Sequence, residues 1–466
     1  MRLTKLTLQN FRCFDSFEIT LHPELTVLIA PNGSGKSTIL DAARIALSPF
    51  VKGFDLGNQV GKSAAIQIAD VRLVLQENGN MEPQIPSSIM ATGIWNASLS
   101  EQSWLQTRVK VKPGTNTLTD AATKKLNGFA LALQEQVRNG QNEVTLPLIS
   151  YLGTSRLWFE GRFSSVAEDV ALDTSNFSRT SGYLNCLSYT SSFKAFTAWY
   201  GWVSRSYLEE RFRAQDSQTQ LSESGQHFAA TIEVIKTAVN SLITEATGWR
   251  DLEYRYSQNQ QLVMHHAEFG IMPVEMLSDG VRDAISMVAD LAFRAYKLNP
   301  HLGALAALET PGVALIDEVD MFLHPSWQQT IIASLRKAFP KFQFIVTTHS
   351  PQVLSTVNRE CIRLLDRTVT GEWLAVMPNQ ELKGVESEFA LLDARHVNPI
   401  PPIAEAQWLA DYTAKIESGS HEDAAGLALR EKLVALYGEH HPVILDANRL
   451  IRFQAFKLRR KAAHEE

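Results

Sequence analysis

The stretch Ala30-Pro31-Asn32-Gly33-Ser34-Gly35-Lys36-Ser37-Thr38 constrains this chain more than any other. Before it, Leu25, Val27, Leu28 and Ile29 form a short apolar run of strand type, and after it Ile39, Leu40, Ala43 and Ile45 recur at helical spacing. The chain is therefore expected to make a strand, a glycine turn and a helix. Gly33 and Gly35 allow the backbone to curl until its N–H groups converge on one point, and the helix N-terminus adds a partial positive charge. In the pattern G-x-x-x-x-G-K-[ST], residues Asn32, Gly33, Ser34, Gly35 and Thr38 cradle the phosphates of ATP, Lys36 reaches the β- and γ-phosphates, and Ser37 offers its hydroxyl to Mg²⁺. Ala30 stands where the first glycine belongs. A methyl group is small enough for a tight strand exit, so nucleotide binding is expected to survive.

Composition sets the outer limits. A chain of 466 residues with 45% apolar content can bury a large core and suggests two or three domains. A net charge of −6 argues against wholesale coating of nucleic acid, though a local basic patch is compatible with it. Cys13, Cys186 and Cys361 are far apart and match neither a disulfide framework nor a zinc spacing, which suits a reducing cytoplasm. No apolar run approaches a membrane span, and the N-terminus lacks a secretory signal pattern. A soluble cytoplasmic protein is expected.

From Leu3 to Thr26 the apolar residues alternate as in two antiparallel strands around a turn at Arg12-Cys13-Phe14-Asp15. Residues 66–78 and 104–112 alternate again and suit an antiparallel lobe, whereas 78–102, rich in Gly, Pro, Ser and Asn, reads as surface loop. A helix is expected over 118–139. A strand over 144–152 then ends in Gly153-Thr154-Ser155-Arg156. Residues 183–247 read as mostly helical, with Phe193, Phe196, Trp199, Tyr200 and Val203 on one face that suits core or partner surface better than base stacking. No heptad pattern is sustained between Ser37 and Ser278, which excludes a long coiled-coil arm. Leu252, Tyr254 and Tyr256 pair with Leu262 and Met264 as a hairpin across Asn259.

Three later motifs complete the set. Leu277-Ser278-Asp279-Gly280-Val281-Arg282 opens a helix, where Ser278 and Gly280 form a second anion site. Val313-Ala314-Leu315-Ile316 is a buried parallel strand, and Asp317 and Glu318 fall at its carboxyl end, where open α/β sheets place ligand chemistry. Asp317 suits Mg²⁺, and Glu318 suits the orientation of an attacking water. A further buried strand through Phe342, Phe344, Ile345 and Val346 runs into Thr347-Thr348-His349-Ser350.

The order of these motifs, together with Asn10-Phe11-Arg12-Cys13-Phe14, resembles the RecF, Rad50 and SMC branch of the ABC-type ATPases. The resemblance spans residues 1 to about 365, discontinuously, and implies an α/β fold: a P-loop core sheet, an antiparallel β lobe, a compact helical insertion and a helical C-terminal tail. It implies that Arg12 lies beside the nucleotide, although Arg12 also reads as a solvated turn arginine. Ser278, Asp279 and Gly280 match the family's signature, which faces the γ-phosphate held by a second subunit, with Asp279 and Val281 as departures. His349 matches the switch histidine. No glutamine stands at the γ-phosphate-sensing turn, so Thr154, Ser155 or Arg156 substitutes for it or the turn is merely structural.

The stretch Tyr151-Leu152-Gly153-Thr154-Ser155-Arg156-Leu157-Trp158, the insertion around 183–202 and the tail are similar to the PtuA family, the ATPase subunits of Septu-type antiphage defence, and to its retron-associated branch. That resemblance implies ATP hydrolysis in a homo-oligomer, an HNH nuclease partner and, in the retron branch, a reverse transcriptase with its RNA–DNA hybrid. A RecF-like repair ATPase that binds DNA directly is the alternative. Asn398-Pro399-Ile400-Pro401-Pro402 reads as a rigid linker, followed by helices over 405–416, 422–437 and 441–461. Lys457, Arg459, Arg460 and Lys461 suit a helix C-terminus more than nucleic-acid contact, and Arg459 and His464 have an R-x4-H spacing at a frayed end. No complete nuclease motif occurs. The expected division is 1–180 and 251–397 for the two parts of the ATPase head, 181–250 for the insertion and 398–466 for a partner-binding tail.

Overall fold

The computed structural model describes residues 1–57, 64–77, 79–96, 100–113, 117–156, 178–188, 193–257, 259–386 and 401–465, with the side chains at 194, 195 and 458–465 outside the description. Leu157, Trp158, Asn398, Pro399 and Ile400, and the side chains of Arg459, Arg460, Lys461 and His464, therefore lie outside the described residues.

In chain order the strands are β1 Arg2–Phe11, β2 Phe14–Thr20, β3 Leu25–Ile29, β4 Leu73–Leu75, β5 Met81–Pro83, β6 Ser87–Ile94, β7 Gln102–Arg108, β8 Thr117–Thr119, β9 Leu148–Leu152, β10 Arg250–Arg255, β11 Gln261–His266, β12 Gly270–Pro273, β13 Gly312–Ile316, β14 Phe342–Thr347, β15 Ile362–Arg367 and β16 Trp373–Val376. Among the described residues, five long helices belong with them: α1 Lys36–Val51, α2 Ala121–Arg138, α3 Phe193–Asp216, α4 Glu223–Thr247 and α5 Asp279–Leu298.

A six-stranded sheet of order β16-β15-β3-β14-β13-β9 forms the centre, parallel except at β16. Its strands β3, β9, β13 and β14 are buried along their whole length, as expected of a parallel sheet covered on both faces. The register aligns Ile316 with both Leu152 and Val346, and Leu28 with Thr347. Four strands thus end at one carboxyl edge, and the turns after β3, β9, β13 and β14 all emerge there. An antiparallel sheet, β2-β1-β6-β7-β8, makes the lobe, and β10-β11-β12 makes a third sheet with Tyr254 opposite Leu262.

The expected aromatic face of α3 is core. Phe193, Phe196, Trp199, Tyr200 and Val203 are buried, and the Trp199 ring centroid stands 4.5 Å from that of Phe293 on α5. Three segments depart from their sequence patterns. Residues 78–102 are not all loop: β6 lies inside them and pairs with β1 along most of its length, because Ile89 and Ala91 find buried places on the lobe's inner face. Cross-strand packing there overrides the low strand propensity of Ser and Gly. Residues 66–78 meet the lobe only through an isolated antiparallel bridge of Val71 with Phe11 on β1; Ile68–Asp70 is a 3₁₀ turn and β4 pairs with β5 instead, leaving Leu73 and Leu75 exposed. The strand expected over 144–152 begins at Leu148, directly after Pro147, which has no N–H for a ladder.

Residues 396–466 form a separate compact unit from Met1–Arg395. Its helices, Ala404–Glu417, Ala424–Tyr437 and Pro442–Glu465, enclose a small core of Tyr412, Ile416, Leu433, Ile444 and Ala447.

Candidate nucleotide site

At the carboxyl edge of the central sheet, a cavity of about 290 Å³ is lined by Arg12, Cys13, Asn32, Gly33, Ser34, Gly35, Lys36, Ser37, Thr38, Asp317, Glu318 and His349. The turn after β3 adopts the curl that its glycines permit. Gly35 has φ +87°, and a Cβ there would meet the Phe14 ring at 2.6 Å and Cys13 Sγ at 2.8 Å, so both the backbone angle and the space demand glycine. The Lys36 ammonium donates to the carbonyls of Ala30 at 2.8 Å and Pro31 at 3.1 Å, which holds it inside the cradle. Ala30 is buried and keeps the strand exit tight.

Arg12 forms one wall. Its Nε donates to Asp70 at 2.8 Å and its Nη1 to Asp41 at 2.7 Å, while Arg44 donates to the other Asp41 oxygen at 3.1 Å. Burial disfavours the Arg12 charge, but Asp41 and Asp70 more than offset this and hold its pKa above the ordinary arginine value. It is an anchored arginine at the cavity wall rather than a solvated turn residue.

Asp317 and Glu318 follow β13 as expected, and the turn is tightly held. The Thr347 hydroxyl donates to Asp317 Oδ1 at 2.5 Å and accepts the Glu318 N–H at 2.7 Å. The Asp317 N–H reaches the Leu152 carbonyl at 2.8 Å and the Val319 N–H the Thr347 carbonyl at 3.0 Å. Glu318 takes φ +48°, a left-handed conformation that costs a non-glycine residue about 1–2 kcal/mol and persists only where neighbours fix it. Burial first, then Asp317 and Asp320, push the Glu318 carboxyl above its usual range, against the opposing charges of Arg156 and Lys36.

The oxygen donors fit Mg²⁺. A carboxylate, Asp317, and a hydroxyl, Ser37, face one cavity, and no group of three or more His, Cys, Asp or Glu able to hold a metal occurs among the described residues. Mg²⁺ is commonly held by one or two protein oxygens together with phosphates and water, and does not need a full protein cage.

Ser278, Asp279 and Gly280 are not among the lining residues. They sit at the start of α5, where Ser278 is the N-cap without a side-chain cap bond, and Asp279 is ion-paired with Arg282. A Cβ on Gly280 would meet the Phe322 carbonyl oxygen at 2.5 Å, so this glycine is required by a close backbone approach. Of the sensing-turn residues, Thr154 and Ser155 are exposed and Arg156 is buried behind the Asp317–Glu318 turn. Asp41, Asp70 and Asp283, and the relay role of Thr347, lie outside the motifs legible in the sequence. The available signal was charge within apolar periodicity: Asp41 and Arg44 on α1, and Asp283, Asp290 and Arg294 on α5, stand in helices whose other residues are largely buried.

The central sheet, the antiparallel lobe and the turns gathered at one sheet edge define a P-loop nucleotide-binding protein with an ABC-type ATPase head. Residues 5–264, more than half of the chain, match the family described as AAA domain, and the chain belongs to that family. Within it the chain is related to the RecF, Rad50 and SMC branch and to retron and Septu ATPases. It is 26% identical over 407 residues to the retron Vc95 probable ATPase of Vibrio cholerae serotype O1 biovar El Tor, covering 78% of this chain and 74% of that protein. The Septu protein PtuA of Bacillus mycoides (strain KBAB4) is 38% identical over 115 residues, which cover 24% of this chain and 15% of that protein. An SMC head bound to the C-winged helix domain of ScpA is similar with a TM-score of 0.49 at 14% identity, covering 81% of this chain and 98% of that one.

Proposed function

We propose that this chain is the ATP-binding and hydrolysing subunit of an antiphage defence complex, working as a homo-oligomer. Each ATP is enclosed by two subunits: Arg12, Asn32 to Thr38, Asp317, Glu318 and His349 from one, Ser278, Asp279 and Gly280 from the other. The observation that carries this reading is the convergence of the first set in one cavity while the signature residues lie outside it. Lys36 offsets phosphate charge, Glu318 orients and polarises the in-line water, and His349 contacts the γ-phosphate. When bound through Ser37 and Asp317, Mg²⁺ supplies further charge neutralisation. Turnover is slow, and the nucleotide sets the state of a switch.

The names of the retron and Septu relatives support the defence setting. The finer terms are control of an HNH nuclease through the tail, with a retron reverse transcriptase and its RNA–DNA hybrid in the same assembly. No helix among the described residues is long and apolar enough to cross a membrane, and we place the complex in the cytoplasm.

The composite site is tested by mixing two variants. Lys36→Ala and Ser278→Arg should each be inactive alone, and together they should regain hydrolysis, since one mixed site then carries both intact halves. Mixtures as inactive as the separate variants would refute it. Co-expression with the neighbouring gene product, with Glu318→Gln to retain ATP, tests the setting: a co-eluting nuclease supports defence, and binding to bare DNA without a partner supports the repair ATPase instead.

A further inference from the structure

We infer that Arg156 is a positioning residue that sets the geometry of Glu318 and ties it to the start of the signature helix α5. Its five N–H donors are all used. Nε donates to Asp283 Oδ1 at 2.6 Å and Nη2 to Asp283 Oδ2 at 2.8 Å, a bidentate fork. The remaining donors reach backbone: Nη1 to the carbonyls of Asp317 at 2.7 Å and Gly153 at 3.3 Å, and Nη2 to that of Glu318 at 2.9 Å. Both side chains are almost wholly buried.

Two consequences follow from this placement. The carbonyls on either side of the Glu318 Cα both point at one guanidinium, so the left-handed Glu318 backbone is fixed from behind while its carboxylate faces the cavity. Asp283 stands little more than one turn into α5, whose first residues are Asp279 and Gly280. A movement of that helix end therefore pulls on the same fork that holds Glu318. The planar fork also explains why arginine occupies the sensing turn: glutamine offers two donors and lysine only a point charge, and neither spans a carboxylate and three carbonyls. Contact at the signature is thereby coupled to the placement of the attacking water.

The inference rests on the reading of Glu318 as the water-orienting group, and the test separates the two. Single-turnover ATP hydrolysis and binding of a fluorescent ATP analogue are measured for wild type, Glu318→Gln, Arg156→Lys and the apolar pair Arg156→Met/Asp283→Leu. Replacing a buried ion pair by apolar residues of similar volume is often tolerated by the fold, so the double variant is expected to melt within a few degrees of wild type. Its hydrolysis should nevertheless fall about 100-fold, with analogue affinity changed less than about 3-fold, because misplacement by about 1 Å is enough for such a loss. Arg156→Lys should not rescue it. Wild-type hydrolysis in either Arg156 variant, with Glu318→Gln inactive, overturns the positioning role alone. Full hydrolysis by Glu318→Gln, or none by wild type, overturns the reading of the site and this inference with it.

Discussion

Replacing Thr347 by valine probes the relay between two strands that holds the acidic turn. The substitution is nearly isosteric and suits a buried strand, so it opens no cavity and removes only the hydroxyl. Two hydrogen bonds disappear: the donor to the Asp317 carboxylate at 2.5 Å and the acceptor for the Glu318 N–H at 2.7 Å. A bond to a charged group contributes about 1.5–3 kcal/mol and a neutral one about 1, so a loss of about 3 kcal/mol is expected. Because Glu318 keeps its left-handed backbone only while its N–H and carbonyl are both held, hydrolysis should also drop about 10- to 100-fold. Thr347→Ser is the control: it keeps the oxygen and loses one methyl, costing about 1 kcal/mol, with turnover near wild type. Denaturant unfolding and single-turnover hydrolysis read the two effects. Valine and serine variants of equal stability and equal rate would refute the relay.

Gly280→Ala places a methyl 2.5 Å from the Phe322 carbonyl and forces the loop after β13 to move, so slower hydrolysis and a lower melting temperature are expected, read by calorimetry and rate. Asn299→Ala removes the side chain that bonds both backbone groups of Leu146, at 2.7 and 2.9 Å, and Thr310 at 3.0 Å. The orphaned groups should cost about 2–4 kcal/mol in denaturant unfolding while analogue affinity is unchanged. Burial lowers the Lys297 pKa from 10.5 to about 8, so its charge costs stability in full below pH 8, and the cost vanishes as pH rises to the unfolded value. Lys297→Met should therefore stabilise most below pH 8, with the advantage declining between pH 8 and 10.5; a pH-independent difference in melting temperature would contradict this.

The central motifs are legible because each is local. A phosphate turn needs glycines with positive φ beside an apolar strand and a helix start, and Gly33, Gly35 and Lys36 state this within a few residues. Asp317, Glu318 and His349 are likewise marked by the largely apolar strands that precede them. β6 was hidden because its Ser and Gly carry little strand propensity; only pairing with β1 stabilises it. β4 misled in the opposite way, since alternating leucines do not reveal that no lobe strand lies beside them.

The chemistry on offer is written in short local patterns: a phosphate cradle, an acidic pair at a strand end, a histidine after the neighbouring strand and a second glycine-marked helix start. These follow from backbone angles and apolar periodicity within short windows. Which groups share a cavity, which stand apart and what Arg156 does depend on long-range packing. In sequence Arg156 is one residue of a turn; in space it meets Asp283 and the Asp317 and Glu318 carbonyls, whose sequence separations exceed 100 residues. Register in the parallel sheet brings those positions to one edge. That register is set by the burial of whole strands, a long-range balance that no local pattern encodes.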